Sequence, residues 1–217
     1  MLLLDAEATL NVTRSDRLIN ALDRSLGLCL AIASAPLVIG SATAVMVLSR
    51  RSPFIAHLRV GQHGAALWVL KLRTMWDRES TARGPFAWVE KIVAEPAPHS
   101  KKRDDPRVRS RFAAFCRRYS IDELPQLWQV VRGNMSLVGP RPLTRSEIDS
   151  HYGPRKAELL SVRPGLTGLW QVQGRSAIQF PARASMDIRL AQDRSLRTYL
   201  KTLVRTIPAV LGGNGAW

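Results

Sequence analysis

The feature that most constrains this chain is a long uncharged run near its N-terminus. From Ser25 to Ser49 the sequence contains no Asp, Glu, Lys or Arg. About 20 apolar residues are enough for a helix to cross the hydrocarbon core of a bilayer. A cleaved signal peptide fits poorly, because the stretch before the run is long and carries Asp16 and Asp23. The run therefore predicts a membrane helix.

Two observations bear on how this helix would sit in the membrane. Pro36 lies near the middle of the run, where it removes a backbone hydrogen bond and kinks a helix. Basic residues flank both ends, and such flanks favour the cytoplasmic side. A re-entrant helix that bends at residues 34–36 accounts for both observations; an ordinary span and a buried core helix are the alternatives. The flanking residues are Arg14, Arg17 and Arg24 on one side and Arg50 and Arg51 on the other.

These patterns predict three parts of the chain. We expect an N-terminal tail over residues 1–16, a re-entrant membrane helix over 17–52 and a cytoplasmic catalytic domain over 53–217. The expected fold of the domain is mixed α/β, helix-rich with a small β-hairpin or sheet. Ile55–Val60 and Ala66–Leu72 flank a Gly-Gln-His-Gly turn, which is typical of a hairpin.

Periodicity predicts several helices after the hairpin. A surface loop over 77–104 would contain one short helix at about Ala87–Val93. A helix over Arg111–Tyr119 would turn Phe112, Phe115 and Cys116 inward, and Leu166–Val172 is expected to be a turn and a short extended piece. The last helix is amphipathic, so it could lie on an anionic membrane or pack on the core. The remaining predicted helices are Pro154–Val162 and this last one, at about Asp193–Val210.

Charge limits the classes of partner. The chain has 32 Lys and Arg against 17 Asp and Glu, a net charge of +15, which favours polyanions. Nucleic acid is disfavoured, because aromatic residues are not interleaved with the basic runs. The four histidines are scattered, and Cys29 and Cys116 have no disulfide or metal spacing. Neither a Ser-His-Asp order nor a glycine-rich nucleotide loop is present.

The acidic pair Asp122-Glu123 is the strongest candidate for chemistry. With Ser120 as the N-cap, Pro125 would fall at an unfavourable interior position of the helix that follows. With Asp122 as the N-cap, Pro125 falls in the first turn, where its missing N–H costs nothing. The sequence therefore predicts that Asp122 starts a helix, where free amides favour anions.

Phosphoryl transfer needs a nucleophile, a divalent ion held by carboxylate, and arginines that neutralise charge. Asp122 and Glu123 supply the carboxylates, with Glu123 the expected Mg²⁺ ligand. The strand that ends at Leu72 also projects Lys71 and Arg73. The candidate phosphate-binding residues are Arg73, Arg117, Arg118, Arg141, Arg163 and Arg175. A non-catalytic, membrane-anchored basic module that binds anionic lipid or nucleic acid is the competing hypothesis.

From about Arg17 onward the chain resembles the bacterial sugar transferases, the monotopic phosphoglycosyl transferases that start glycan assembly on polyprenyl phosphate. The resemblance depends on several blocks in order and spacing. They are Arg59–Gly61, Lys71–Met75, Asp105–Val108, Tyr119–Val131, Gly133–Pro142, Arg163–Val172, Thr206–Leu211 and Gly215–Trp217.

The resemblance implies a mechanism and a place. Asp122 would attack the β-phosphate of a UDP-hexose, release UMP and hold the sugar-1-phosphate until polyprenyl phosphate accepts it. Glu123 would help to hold Mg²⁺, and Asp187 would lie near the active site. The enzyme would sit on the cytoplasmic face of the bacterial inner membrane, with a homodimer as one possible assembly. The Trp170 block favours the hexose branch of the family and a role in exopolysaccharide synthesis.

The chain departs from the family pattern at four places. The usual Ser-Pro of the membrane helix is Ala35-Pro36, with Ser34 one residue earlier. His57 replaces a usual glutamine, and the stretch before Arg117 carries an extra residue, which leaves the roles of Arg107 and Arg109 open. The residues after Asp187 lack a usual aromatic pair. These departures affect substrate detail rather than the reaction.

Overall fold

The computed structural model describes residues 14–75, 88–93, 108 and 110–213. The tail over 1–13, most of the expected loop over 77–104, the Asp105–Arg107 block, Arg109 and the last four residues lie outside the described part. Everything below refers to the described residues.

The uncharged run forms the middle and end of one helix, α1, from Arg14 to Ser49. It begins three residues before the expected start of the membrane segment, and its helical assignment continues through Pro36. It is long and apolar enough to cross a membrane by length and composition. Both ends of α1 pack on the rest of the chain, through Ile19, Asp23 and Gly27 before Pro36 and through Ser41, Ala42 and Val45 after it.

The predicted hairpin is confirmed. Strands β1 (Phe54–Val60) and β2 (Ala66–Leu72) pair antiparallel, and a short 3₁₀ turn at Gln62–Gly64 joins them. His63 and Gly64 both have positive φ there, and Gly64 takes φ +80° without the steric cost of a side chain.

The short helix expected at Ala87–Val93 is wrong. Val89–Ile92 is a strand, β3, which pairs in parallel with β1 and gives the sheet order β2-β1-β3. β-branched Val89 and Ile92 suit a strand, and the hydrogen bonds with β1 satisfy its backbone. A second sheet joins β4 (Ser136–Val138) and β5 (Gly165–Thr167) in parallel.

The helix predicted at Arg111–Tyr119 is confirmed as α2, Arg111–Arg118, with Ser110 as its N-cap. Cys116 is buried as expected, but Phe115 is half-exposed and packs on the Tyr119 ring, 4.9 Å between centroids. The inward face of this short helix is formed by Ala113 and Cys116, so the prediction for Phe115 is wrong.

Other helix predictions hold in part. Pro154–Val162 is a 3₁₀ turn at Gly153–Arg155 followed by α5, Lys156–Leu160. The expected extended piece stops at Thr167, and Leu169–Gln173 is helix α6. The last helix is confirmed as α8, Leu196–Gly212, capped by Ser195. Helices α3 (Leu127–Val131), α4 (Arg145–His151) and α7 (Phe180–Gln192) complete the set.

One side of α8 packs on the core, as one of the two interpretations expected, and its position on a membrane stays a prediction. Leu196 and Leu203 pack against the main core cluster, and Tyr199 and Thr202 are buried. Leu200, Val204, Ile207 and Leu211 are exposed. The described chain is therefore helix-rich with two small sheets, and α1 and α8 carry large apolar side chains on the surface.

Candidate active site

The acidic pair lies in a 3₁₀ helix, Ile121–Gln126, which we call the acidic turn. The prediction that Asp122 is an N-cap is wrong: Ser120 precedes the turn with φ +56°, and its carbonyl accepts a hydrogen bond from the Glu123 N–H at 3.1 Å. The prediction assumed that an α-helix starts here, whereas tighter 3₁₀ bonds form first and α3 begins only after Pro125.

The acidic turn is held against strand β2. The Gln129 side chain donates to the Trp68 carbonyl at 2.6 Å and accepts from the Leu70 N–H at 3.1 Å. These two bonds match the spacing of a strand partner, so they fix α3 along the edge of β2. Asp122 and Glu123 are both buried as a result, at 4% and 8% exposure.

Glu123 lies between two cations. Its Oε1 accepts from Lys71 Nζ and from Arg141 Nη2, each at 3.1 Å. Burial disfavours the charged form of Arg141, but the neighbouring Glu123 outweighs this and raises the pKa of the guanidinium. Arg141 therefore stays charged in the site, and Lys71 is a site residue that the candidate set did not include.

Arg175 is the third basic side chain next to the acidic turn. Its Nη2 donates to Ser120 Oγ at 3.4 Å. Burial lowers the pKa of Arg175, the charge of Glu123 opposes this, and the charge of Arg141 adds to it. Arg175 and Ser120 both have positive φ, a strained conformation for residues with a side chain, which is common at functional sites.

Arg141 is aimed by a close contact between two backbones. The Gly165 N–H donates to the Pro140 carbonyl at 2.7 Å, and the Gly139 N–H donates to the Thr167 carbonyl at 2.9 Å. A Cβ on Gly165 would lie 2.1 Å from the Gly139 nitrogen, so only glycine fits. The strand pair β4–β5 thereby fixes the loop that carries Arg141.

Asp187 is buried next to the Arg141 backbone. Its Oδ2 accepts from the Tyr152 hydroxyl at 2.8 Å. Burial raises the pKa of Asp187 to about 7, although hydrogen bonds from Tyr152, Trp170 and the Arg141 backbone oppose the shift. Its sequence prediction as a substrate-binding residue stays untested, and its contacts favour a supporting position.

Trp170 is a second buried support. The guanidinium carbons of Arg183 and Arg141 lie 4.6 and 5.9 Å from the centre of its ring, so both cations lie within cation–π range. Arg183, on α7, was missed by the sequence prediction, because its role depends on a contact between α6 and α7 that no local pattern encodes.

The other candidate arginines have different surroundings. Arg73 is buried and donates to the Ser52 carbonyl at 2.8 Å and to Glu90 at 2.5 Å, which ties β2 to β3. Arg118 is exposed; its side chain lies against Gly213 at the end of α8.

Arg117 and Arg163 are the last two candidates. Arg117 is buried in the last turn of α2, next to Cys116 and ahead of Ser120. Arg163 donates to Asp23 and Asn20 of α1. Binding of phosphate by Arg73, Arg117, Arg118 and Arg163 stays a prediction.

Cys116 borders the acidic turn from the other side. Burial raises the pKa of this thiol to about 11, the charge of Asp122 adds to the shift and a hydrogen bond with Ser41 opposes it. The thiol is therefore protonated at neutral pH and packs as a neutral side chain beside the acidic turn. Contacts in the same cluster of buried residues bring Ala42 of α1 close to Cys116 and Ile121, so α1 lies beside the acidic turn.

A family model described as bacterial sugar transferase matches residues 15–213. The chain belongs to the bacterial sugar transferase family. It is therefore an enzyme of the transferase class. The match extends over nearly all of α1 as well as the rest of the described chain, so it includes both the apolar helix and the acidic turn.

Three curated relatives of this sugar transferase illustrate the range of names. The exopolysaccharide production protein ExoY of Rhizobium meliloti is 37% identical over 167 residues, 76% of this chain and 73% of the relative. The UDP-glucose:undecaprenyl-phosphate glucose-1-phosphate transferase of Caulobacter vibrioides is 39% identical over 191 residues, 84% of this chain and 66% of the relative. The undecaprenyl-phosphate galactose phosphotransferase of Salmonella typhimurium is 36% identical over 167 residues, 74% of this chain but 34% of its own length.

Proposed function

We propose that this sugar transferase moves a hexose-1-phosphate from a UDP-hexose to polyprenyl phosphate, releases UMP and thereby starts an exopolysaccharide. The observation that carries the proposal is the buried Asp122-Glu123 pair surrounded by Lys71, Arg141 and Arg175. Cations of this number suit a diphosphate, and a buried carboxylate next to them suits a nucleophile. The names of the relatives from Salmonella typhimurium and Caulobacter vibrioides suggest the donor and acceptor classes.

The chemistry divides into two displacements at one phosphorus. An Asp122 carboxylate oxygen attacks the β-phosphorus of the donor, and the bond from that phosphorus to the bridging oxygen breaks. UMP leaves with the electron pair. A phosphate oxygen of the lipid then attacks the same phosphorus and the carboxylate leaves, which regenerates Asp122 and yields polyprenyl diphosphohexose.

The basic side chains stabilise charge in both displacements. Arg141 and Lys71 hold Glu123 in the described structure, and each can turn a donor group toward an incoming phosphate. Arg175 lies on the Ser120 side of the acidic turn, and its charge would neutralise the leaving phosphate.

A magnesium ion fits the carboxylates of the acidic turn. Among the described residues, no group of three or more His, Cys, Asp or Glu side chains could hold a metal. Mg²⁺ does not need such a cage, since it is usually bound by one or two carboxylates together with substrate phosphates and water. Glu123 would hold it, and when bound it neutralises charge on the diphosphate.

We further propose that α1 is re-entrant and that the domain lies on the cytoplasmic face of the membrane. Asp23 and Gly27 before Pro36, and Ala42 and Val45 after it, all pack on the chain. An ordinary span would carry one end to the opposite side of the bilayer, about 30 Å away. The exposed apolar residues of α8, together with half-exposed Phe115 and Trp128, suit the membrane surface.

The experiment is UMP release from UDP-glucose and UDP-galactose by the full chain with Mg²⁺ and undecaprenyl phosphate in detergent. The proposal expects turnover by the wild type and at least a 1,000-fold loss, in order of magnitude, in Asp122→Asn. Asp149→Asn is the matched control, because this exposed carboxylate pairs only loosely with Lys156, at 3.7 Å. Full turnover by Asp122→Asn would overturn the assignment of the nucleophile, and a wild type inactive with every UDP-sugar would overturn the reaction.

A further inference from the structure

A further buried carboxylate lies on α1, in a part of the chain that the proposed reaction does not use. Asp23 of α1 has no exposed surface. Its Oδ1 accepts from the Leu137 N–H and from the Tyr199 hydroxyl, both at 2.8 Å. Its Oδ2 pairs with Arg163 Nη2 at 3.2 Å. One carboxylate thus joins the membrane helix to strand β4, to the segment before β5 and to α8.

The partners of Asp23 lie on the strand pair that aims Arg141. Leu137 is the middle residue of β4, and Arg163 lies two residues before β5. Between them, the Ser136 N–H donates to the Pro164 carbonyl at 2.9 Å. The carboxylate therefore bonds to β4 and to the side chain of a residue just before β5, close to the Gly139–Gly165 contact.

A shift of either strand would reach the active site. The Gly139 and Gly165 backbones are already closer than any side chain allows, so β4 cannot slide past β5 without moving Pro140. Arg141 is the next residue, and its guanidinium bonds to Glu123 at 3.1 Å. Residues 137–141 therefore connect the hydrogen bond at Asp23 with the cation beside the acidic turn through one short stretch of backbone.

We propose that Asp23 is a positioning residue: it sets the register of β4 and β5, and through them the place of Arg141, when α1 is docked. The inference rests on the proposed function, since it assigns Arg141 a role in that reaction. It makes the active geometry depend on the docking of the membrane helix.

The nature of the contact supports positioning over simple attachment. A buried ion pair contributes little net stability compared with apolar residues of similar volume. It does demand one geometry, because a carboxylate left without its donors is costly. Burial, together with the charge and hydrogen bond of Asp23, raises the pKa of Tyr199, so its hydroxyl stays a donor. Apolar residues such as Ile19 already attach this part of α1 to the core.

The test is a double-mutant cycle on UMP release, with Asp23→Asn in the wild-type and Arg141→Gln backgrounds. Asparagine keeps the size of the side chain and loses the charge that Arg163 pairs with. We expect Asp23→Asn to lower kcat at least about tenfold in the wild type, since small displacements in a site can cost up to about 100-fold. In the Arg141→Gln background the same substitution should change kcat less than about twofold.

The matched control is Asp16→Asn. Asp16 is on the same helix, but it is partly exposed and pairs at 3.4 Å with Arg194, which lies between α7 and α8. It should leave kcat within about twofold of the wild type. Equal factors for Asp23→Asn in both backgrounds, or no effect in the wild type, would overturn the inference. If Asp23→Asn does not accumulate, Tyr199→Phe takes its place in the cycle and is judged in the same way.

A readout without turnover separates this inference from the proposed function. Amide hydrogen exchange of the full chain should be faster in Asp23→Asn than in Asp16→Asn over residues 136–142 and 163–168. Unchanged exchange there would overturn the positioning role even if Asp23→Asn releases UMP more slowly than the wild type. Inactive wild-type protein would count against the proposed reaction alone, and the exchange result would still decide whether Asp23 holds the two strands.

Discussion

Glu123 and Asp23 are both buried carboxylates paired with arginine, but their surroundings differ. The partners of Glu123 keep contact with solvent: the Lys71 and Arg141 side chains are 18% and 23% exposed. Asp23 is fully buried, and its partner Arg163 is 10% exposed. A cation that still contacts water can exchange a carboxylate for an incoming phosphate. A closed pair can only hold geometry. Under the proposed reaction, the Glu123 pair would take part in the chemistry, whereas the Asp23 pair would hold the fold.

Among these substitutions, we expect the largest loss of activity at Glu123. Glu123→Gln removes the charge between Lys71 and Arg141 and the proposed ligand for Mg²⁺. UMP release should fall by about 100- to 1,000-fold, while the free energy of unfolding changes by about 1 kcal/mol, because both cations remain solvated. Turnover and denaturant unfolding of the same preparation measure the two quantities. Turnover within about threefold of the wild type would contradict a catalytic role for Glu123.

Substitution of Asp23, the carboxylate of the fully buried pair, should mainly lower the free energy of unfolding. Asp23→Ala leaves Arg163, the Tyr199 hydroxyl and the Leu137 N–H buried without their acceptor. Breaking a buried pair in this way costs about 3–5 kcal/mol. Denaturant unfolding in detergent, compared with Asp16→Ala, measures the loss. A cost below about 1 kcal/mol would mean that water or another acceptor replaces the carboxylate, and the distinction between the two pairs would fail.

The buried carboxylate of Asp187 should make the stability of the protein depend on pH. Burial raises the pKa of Asp187 from 3.8 to about 7, so the folded protein binds a proton that the unfolded chain has released. Stability from this group is complete below about pH 4 and is lost as pH rises toward 7, by a few kcal/mol at about 1.4 kcal/mol per pKa unit. Asp187→Asn should lack this slope. Thermal unfolding of both proteins between pH 4.5 and 8 tests it, and parallel curves would show that Asp187 titrates normally.

The smallest effect concerns Lys71, the weaker cation of the reactive pair. Lys71→Met keeps the length of the side chain and leaves Arg141 on Glu123. We expect KM for the UDP-sugar to rise about three- to tenfold with a smaller change in kcat, since a charged hydrogen bond is worth about 1.5–3 kcal/mol and Arg141 retains part of it. Initial rates over a range of donor concentrations separate the two constants. An unchanged KM would place Lys71 outside the donor site.

Local patterns predicted the parts of this molecule that depend on local physics. Alternating strand residues around a glycine turn gave the β1–β2 hairpin, and the uncharged run gave α1. The acidic pair was found because two adjacent carboxylates beside arginines are unusual. The prediction of its local structure was wrong, since a 3₁₀ turn that contains Pro125 has no distinct signal in sequence.

The long-range pairs could not be predicted from sequence. Asp23 meets Leu137, Arg163 and Tyr199 only after the chain has folded, across separations of more than 100 residues. Arg163 is predicted to bind phosphate because it precedes a rigid Pro-Gly turn, and its hydrogen bonds to Asn20 and Asp23 of α1 have no signal in the local sequence. Lys71 was noticed at a strand end, but the register of β2 against the acidic turn decides that it reaches Glu123.

The proposed reaction requires a covalent bond between the Asp122 carboxylate and the hexose-1-phosphate. The direct measurement is intact-protein and peptide mass spectrometry of the full chain after brief reaction with UDP-glucose or UDP-galactose, without lipid acceptor. We expect a hexose-phosphate adduct on the peptide that contains Asp122. The adduct should be absent from Asp122→Asn, and the addition of undecaprenyl phosphate should remove it. UMP release without any adduct, or an adduct on another residue, would contradict this mechanism.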